Sequence, residues 1–169
     1  NGEIVLASKG KLLSCSCAAG PALEGMNISC GMRAATGAIE DMVIDKEQVR
    51  LSVIGEQQPI GICGSGILAA LRELLKTGIV KKDGSFIKKE KLAEDDYRQK
   101  YIRLNAKKRE FMIEDKAQTL YITQSDIRQI QLAKGAILSG FYALLNKSGI
   151  SINELDKVVI AGQFGSHLS

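Results

Sequence analysis

The chain has 169 residues, a net charge of +4 and a composition that is 45% hydrophobic and 25% charged, enough for one globular domain with a core of its own. Aromatic residues make up 5% and Trp is absent, which leaves little material for a base-stacking or carbohydrate-binding platform. The positive excess is local, with fourteen Lys and Arg against nine Asp and Glu between Arg72 and Lys116, and Tyr97, Tyr101 and Phe111 are too scattered there to form a nucleic-acid stripe.

Asn1 opens directly onto a strand pattern. "EIVLA" at Glu3 to Ala7 and "LLSCSC" at Leu12 to Cys17 flank the turn "SKG", which predicts a β-hairpin. With no initiator Met, the chain reads as a piece of a longer protein. Cys15 and Cys17 fall on one face of the second strand. Neither they nor Cys30 and Cys63 show the CxxC spacing of a metal or iron–sulfur site. No metal is assigned, and the four read as buried thiols in a reduced, cytoplasmic compartment. No apolar run reaches the roughly 18–20 residues of a membrane span.

After Gly20-Pro21 the pattern predicts a short helix near Ala22 and then an irregular, glycine-punctuated loop. Met42 to Ile44 and Val49 to Val53 read as short strands. In "CGSGILAALRELLKTGIV", Ile67, Leu68, Leu71, Leu74 and Leu75 make a helical apolar stripe, with Ser65 as the expected N-cap and Gly78 as the stop. Residues 81–110 read as a basic surface excursion holding a short helix around Glu90 to Tyr97. Phe111 to Ile113 and Leu120 to Ile122 read as a strand pair. "TQSD" at Thr123 to Asp126 is close to a capping box and starts a long helix to about Lys147. Its buried side is read from Ile127, Ile130, Ala133, Lys134, Ile137, Leu138, Phe141, Leu144 and Leu145. Gly135 and Gly140 inside it predict close packing, because each costs about 1 kcal/mol against Ala. "SINE" at Ser151 to Glu154 is a second capping box, and Lys157 to Ala161 reads as a last strand. The sum is an α/β chain.

Three glycine-bearing stretches are candidates for a nucleotide: "NGE" at Asn1, Gly2 and Glu3; "GICGSG", ending in Gly64, Ser65 and Gly66; and "AGQFG", with Gly162, Gln163, Phe164 and Gly165. The second opens a helix, where free N–H groups and the dipole favour an anion. It is no Walker A loop, since no Lys-Ser/Thr follows. Any of the three can equally be a plain structural turn. His167 is the sole histidine, so no Ser-His-Asp system is assembled and no catalytic residue is assigned.

Taken in order, "NGEIVLASKGKLLSCSCAAGPALEGMNISCGMRAATGAIE", "GICGSGILAALRELLKTGIV", "ITQSDIRQIQLAKGAILSG" and "KVVIAGQFGSHL" resemble the C-terminal half of the actin-like ATPase domain in reductive activators of corrinoid proteins. That family belongs to the acetate and sugar kinase, heat-shock ATPase and actin superfamily. The resemblance implies an actin-like (ribonuclease H-like) half-domain over 1–169, a mixed sheet flanked by helices, with ATP and Mg²⁺ in a cleft completed by another half. It implies reduction of a Co(II) corrinoid protein to Co(I), with electrons from a 2Fe–2S domain outside this chain. The corrinoid protein is the implied partner and a second copy a further one; this stretch is expected to be inactive alone. Asn1, Gly2 and Glu3 match the second phosphate turn, Gly162 to Gly165 the adenosine turn, and Gly64 to Gly66 a helix start near the cleft. Gln163 stands where the family commonly has a small residue, and the Asp that would help place Mg²⁺ precedes Asn1. Two other readings stay open: a docking or dimerisation module without nucleotide, and the ATPase activator of a radical dehydratase.

Overall fold

A computed structural model describes residues 2–46, 48–114, 119–162 and 165. Strands β1 (Gly2–Ser8) and β2 (Lys11–Cys17) form the expected antiparallel hairpin. Its two-residue turn puts Lys9 at φ 48° and Gly10 at φ 73°, both left-handed, the geometry that matches the twist of paired strands. Every second residue of β1, from Gly2 through Ile4 to Leu6, is half-buried, as are Leu13 and Cys15 of β2, while Cys17 is buried. One face of the hairpin is therefore covered, and Cys15 and Cys17 share it.

The second layer starts with β3 (Ala38–Ile44). It pairs antiparallel with β4 (Val49–Val53) and parallel with β5 (Gly61–Ile62). Helix α1 (Gly64–Lys76) follows at once and lies along β3, with Ile67, Ala70 and Leu74 buried against the core that holds Ile39 and Met42. The third layer is the antiparallel sheet of β6 (Ile102–Asn105), β7 (Lys108–Glu114) and β8 (Leu120–Thr123). Helix α2 (Gln124–Ser148) leaves β8 directly. One apolar core, including Ile39, Met42, Ile62, Leu74, Ile79, Phe111, Leu120 and Ile127, joins the two three-stranded sheets, α1 and the start of α2. Burying each such side chain contributes roughly 1.5–3 kcal/mol. The rest of α2 crosses the covered face of the β1–β2 hairpin.

Among the described residues the strands lie in three small sheets, and β4-β3-β5 is the mixed one. Other sequence expectations are corrected. Residues 81–110 are more than a surface excursion: Phe86, Ile102 and Glu110 are buried, and 102–105 and 108–110 are strand. Within that stretch the chain makes short 3-10 turns at Lys89–Lys91 and Tyr97–Tyr101. Lys157 to Ala161 is not a strand; Val158, Val159 and Ile160 are 60%, 68% and 66% exposed. A strand is made by the ladder of a neighbouring backbone, and none runs beside these residues among those described.

Candidate functional site

The glycine-rich start of α1 is built by the ladder before it. Cys63 is the N-cap, extended at ψ 176°, and its N–H donates to the Ile39 carbonyl at 3.0 Å. The chain thus carries on from β5 beside β3 and turns into the helix at Gly64. Ser65, the expected cap, instead sits in the first turn. Its Oγ lies 3.3 Å from Cys63 Sγ, which in turn donates to the Ile39 carbonyl at 3.2 Å. Gly64, Ser65 and Gly66 are all buried. A Cβ on Gly66 would stand 2.1 Å from the Ile39 carbonyl oxygen. What needs the missing side chain there is the close approach of α1 to β3.

Gly2 and Glu3 start β1. Gly2 lies opposite Cys17, whose thiol donates to its carbonyl at 3.0 Å, and a Cβ on Gly2 would touch Cys17 Sγ and Ile137 Cγ1, each at 3.2 Å. The Ser16 hydroxyl donates to Glu3 Oε1 at 2.7 Å across the hairpin. These two residues belong to the layer under α2; Gly64, Ser65 and Gly66 belong to the layer under α1. Gly162 is exposed, with φ +97° and nothing among the described residues within 4 Å of a Cβ placed on it. At Gly165 a Cβ would come within 2.6 Å of Ile160 Cγ2. Asn1, Gln163, Phe164 and His167 lie outside the described residues.

Three ionic centres escaped the sequence reading. Asp126 is 2% exposed and accepts from the Ser29 N–H at 2.9 Å, the Ser29 hydroxyl at 3.1 Å, the Thr123 N–H at 2.7 Å and the Thr123 hydroxyl at 2.8 Å. It closes the capping box of α2 and pins the loop before β3 to it; only "TQSD" hinted at it. Glu73, equally buried, accepts the Ile44 N–H at 3.0 Å and lies 3.4 Å from both Arg72 Nε and Lys76 Nζ. Arg98 grips Asp96 with Nε on Oδ1 at 2.9 Å and Nη2 on Oδ2 at 2.6 Å, and its Nη1 donates to the Thr77 carbonyl at 3.1 Å. That places a cation where the α1 dipole is negative. The Arg98 side chain, helped by its own N–H, holds the Asp96 carboxyl down at about 2. Burial raises the Cys17 and Cys30 thiols above the usual range, so neither is a ready nucleophile. Among the described residues no three His, Cys, Asp or Glu stand together as a metal site, and no helix is long and apolar enough to cross a membrane.

Such an arrangement offers backbone turns and tight loops, and comparison with known proteins says what family builds it. Residues 1–169 match the family described as the C-terminal domain of RACo, the ASKHA domain. The chain belongs to that family. It is 37% identical over 177 residues to the corrinoid activation enzyme RamQ of Eubacterium limosum, covering 99% of this chain and 29% of RamQ. It is 25% identical over 195 residues to the Co(II) methylated amine-specific corrinoid protein reductase of Methanosarcina barkeri, covering 99% of this chain and 31% of that protein. Among solved structures it is similar to a reductive activator for corrinoid, iron–sulfur protein, with a TM-score of 0.81 and 34% identity over 96% of this chain and 26% of the other. The fold is therefore actin-like and α/β. The chain spans about three-tenths of the length of the relatives it matches.

Proposed function

We propose that this chain is the C-terminal, nucleotide-binding half of the actin-like ATPase domain of a cytoplasmic reductive activator, which uses ATP hydrolysis to return an inactive Co(II) corrinoid protein to Co(I) for methyl transfer. The observation that carries the reading is the 37% identity to RamQ along 99% of the chain. The corrinoid protein is the partner, with a second copy of the activator as a further one.

The residues fit a nucleotide unevenly. Gly162 fits best: its left-handed φ, with nothing among the described residues near its Cβ position, leaves a flat ligand free to lie on the backbone. On this reading Gly162, Gln163, Phe164 and Gly165 take the adenosine, and Asn1, Gly2 and Glu3 approach the phosphates. Gly64, Ser65 and Gly66 lie further back, since the protein's own packing already accounts for Gly66. Phosphoryl chemistry asks the protein for positioning and charge stabilisation more than for a nucleophile, which agrees with glycine turns in place of a triad. Bound ATP with Mg²⁺ supplies the free energy of the reductive step.

A 2Fe–2S cluster does not fit the donors of this chain. Cys15 and Cys17 lie under α2, Cys30 sits in the loop before β3, and Cys63 caps α1. The electrons come from a domain elsewhere in the protein, and this half is inactive alone.

The test is Gly162→Val in the full-length protein, read by calorimetric titration with ATP. Gly162 is the better probe because a side chain at Gly165 would run into Ile160. Loss of ATP binding with unchanged helix content is expected; unchanged affinity removes Gly162 from the site. Iron analysis of the present chain separates this reading from the activator of a radical dehydratase, which carries its cluster on the ATPase domain. Stoichiometric bound iron would favour the latter.

A further inference from the structure

Helix α2 buries one side and leaves the other bare. On the bare side stand Leu132, Gly135, Leu138, Ser139, Tyr142 and Ala143, with Leu132, Leu138 and Tyr142 at 67%, 43% and 51% exposure. At 3.6 residues per turn these six fall within one arc of about 140°. Gly135 stands near its middle, and a Cβ there would meet nothing within 4 Å. An interior glycine costs a helix about 1 kcal/mol against Ala, and no contact among the described residues offsets that. A residue without a side chain at the centre of an apolar stripe lets a second helix come close.

The borders of the stripe carry one sign. Lys134 lies on one edge and Lys147 on the other, both exposed. Arg128 sits at the N-terminal end, with Nη1 donating to Gln131 Oε1 at 2.9 Å. The only acid of α2 is the buried Asp126. Beside that end Asp83, in the loop that touches Gln131, accepts the Ser85 hydroxyl and N–H on Oδ1 and sets one negative charge against Arg128, so the two lysines carry most of the excess.

We propose that this face of α2 docks an amphipathic helix of a separate partner protein, with a seam of small and branched apolar side chains and carboxylates along both edges. Charge selects the partner. Two copies of α2 crossing here would set Lys134, Lys147 and Arg128 against one another, whereas Asp and Glu complement them and speed encounter. Size sets the lifetime. From Leu132 to Ala143 the face is about 17 Å long and one helix wide. It falls short of the roughly 800 Å² per partner of a standard stable interface, so the contact is a transient one.

The test titrates the full-length protein, by fluorescence anisotropy at low salt, with a labelled helical peptide of about 18 residues that has a Leu/Ala seam and Glu on both edges. The same peptide with Lys in place of every Glu is the control. The Glu peptide is expected to bind at least about tenfold tighter than the Lys peptide and to weaken as salt rises. Gly135→Leu, which points into open space, should keep the circular dichroism spectrum and lose at least about tenfold in affinity, as for a central interface position. Lys134→Glu with Lys147→Glu should reverse the preference between the peptides, which covers the case of a Gly135→Leu chain that fails to fold. Equal binding of the two peptides, no binding of the Glu peptide, or a preference that survives the charge reversal overturns the proposal. So does a dimer, seen by sedimentation velocity, that Gly135→Leu dissolves, because it would give the face to a second copy.

Discussion

Two glycines of α2, five residues apart, should answer substitution with opposite signs. At Gly140 a Cβ would come within 2.8 Å of Ile4 Cδ1, 3.0 Å of Cys17 Sγ and 3.2 Å of Cys15 Sγ. The β1–β2 hairpin thus rests on the helix backbone at that point. Gly140→Val gains roughly 0.5 kcal/mol of helix propensity over glycine, but it drives three carbons into a filled contact, which costs about 1–3 kcal/mol. The net is a loss of about 0.5–2.5 kcal/mol. Gly135→Ala meets nothing, so it should give back nearly all of the propensity difference, a gain of about 0.8–1 kcal/mol. At about 2–4 °C per kcal/mol for a chain of this size, thermal unfolding followed at 222 nm should show Gly140→Val melting several degrees lower and Gly135→Ala a few degrees higher. A neutral Gly140→Val would mean that the hairpin does not lie on α2. A destabilised Gly135→Ala would mean that something already covers the face called bare.

Removing the Asp126 carboxylate strands the Ser29 and Thr123 donors, so Asp126→Ala should cost about 3 kcal/mol in urea unfolding; a loss under about 1 kcal/mol would show that the loop before β3 holds on without it. The Tyr101 hydroxyl is buried with no hydrogen-bond partner among the described residues. Tyr101→Phe should therefore leave stability unchanged or raise it by up to about 1 kcal/mol, and a clear loss would reveal a partner for the hydroxyl. Asp96 has a carboxyl held at about 2, below the roughly 3.9 of an unfolded Asp. Because the folded value is the lower one, its contribution is complete above about pH 4–5 and fades as the pH falls toward 2. The gap in urea midpoint between the wild-type chain and Asp96→Asn should narrow over that window, and a gap that stays constant down to about pH 2 would refute the Arg98 pairing as its source.

The parts of the fold that could be read from sequence are those whose cause is local. The hairpin announces itself by alternation on either side of Lys9-Gly10, and α2 by Thr123 and Asp126 at its start and Gly149, at φ 69°, at its end. What failed to read depends on neighbours distant in sequence. Gly61 and Ile62 are too short to make a pattern and become strand because β3 lies beside them. Ile102 and Phe86 hide among lysines, and only the tertiary fold takes them inside. Leu138 follows the apolar rhythm of α2 but is turned outward. Val158 to Ile160 show the reverse case, a strong β preference without a backbone to pair with. At the candidate site the glycines were legible but their purpose was not. A glycine states that something comes close, and the something is a strand carbonyl at Gly66, a hairpin at Gly140 and open space at Gly162.

The seating of the β1–β2 hairpin on α2 also sets an order of events in the cell. The hairpin is made before the helix that covers its apolar face, through Ile137 and Gly140, which comes about 120 residues later. At about 5–20 residues per second the ribosome leaves that face uncovered for roughly 6–24 s. A lone two-stranded hairpin is barely stable in water, so this segment waits, open to holdases and to neighbouring nascent chains, until α2 arrives.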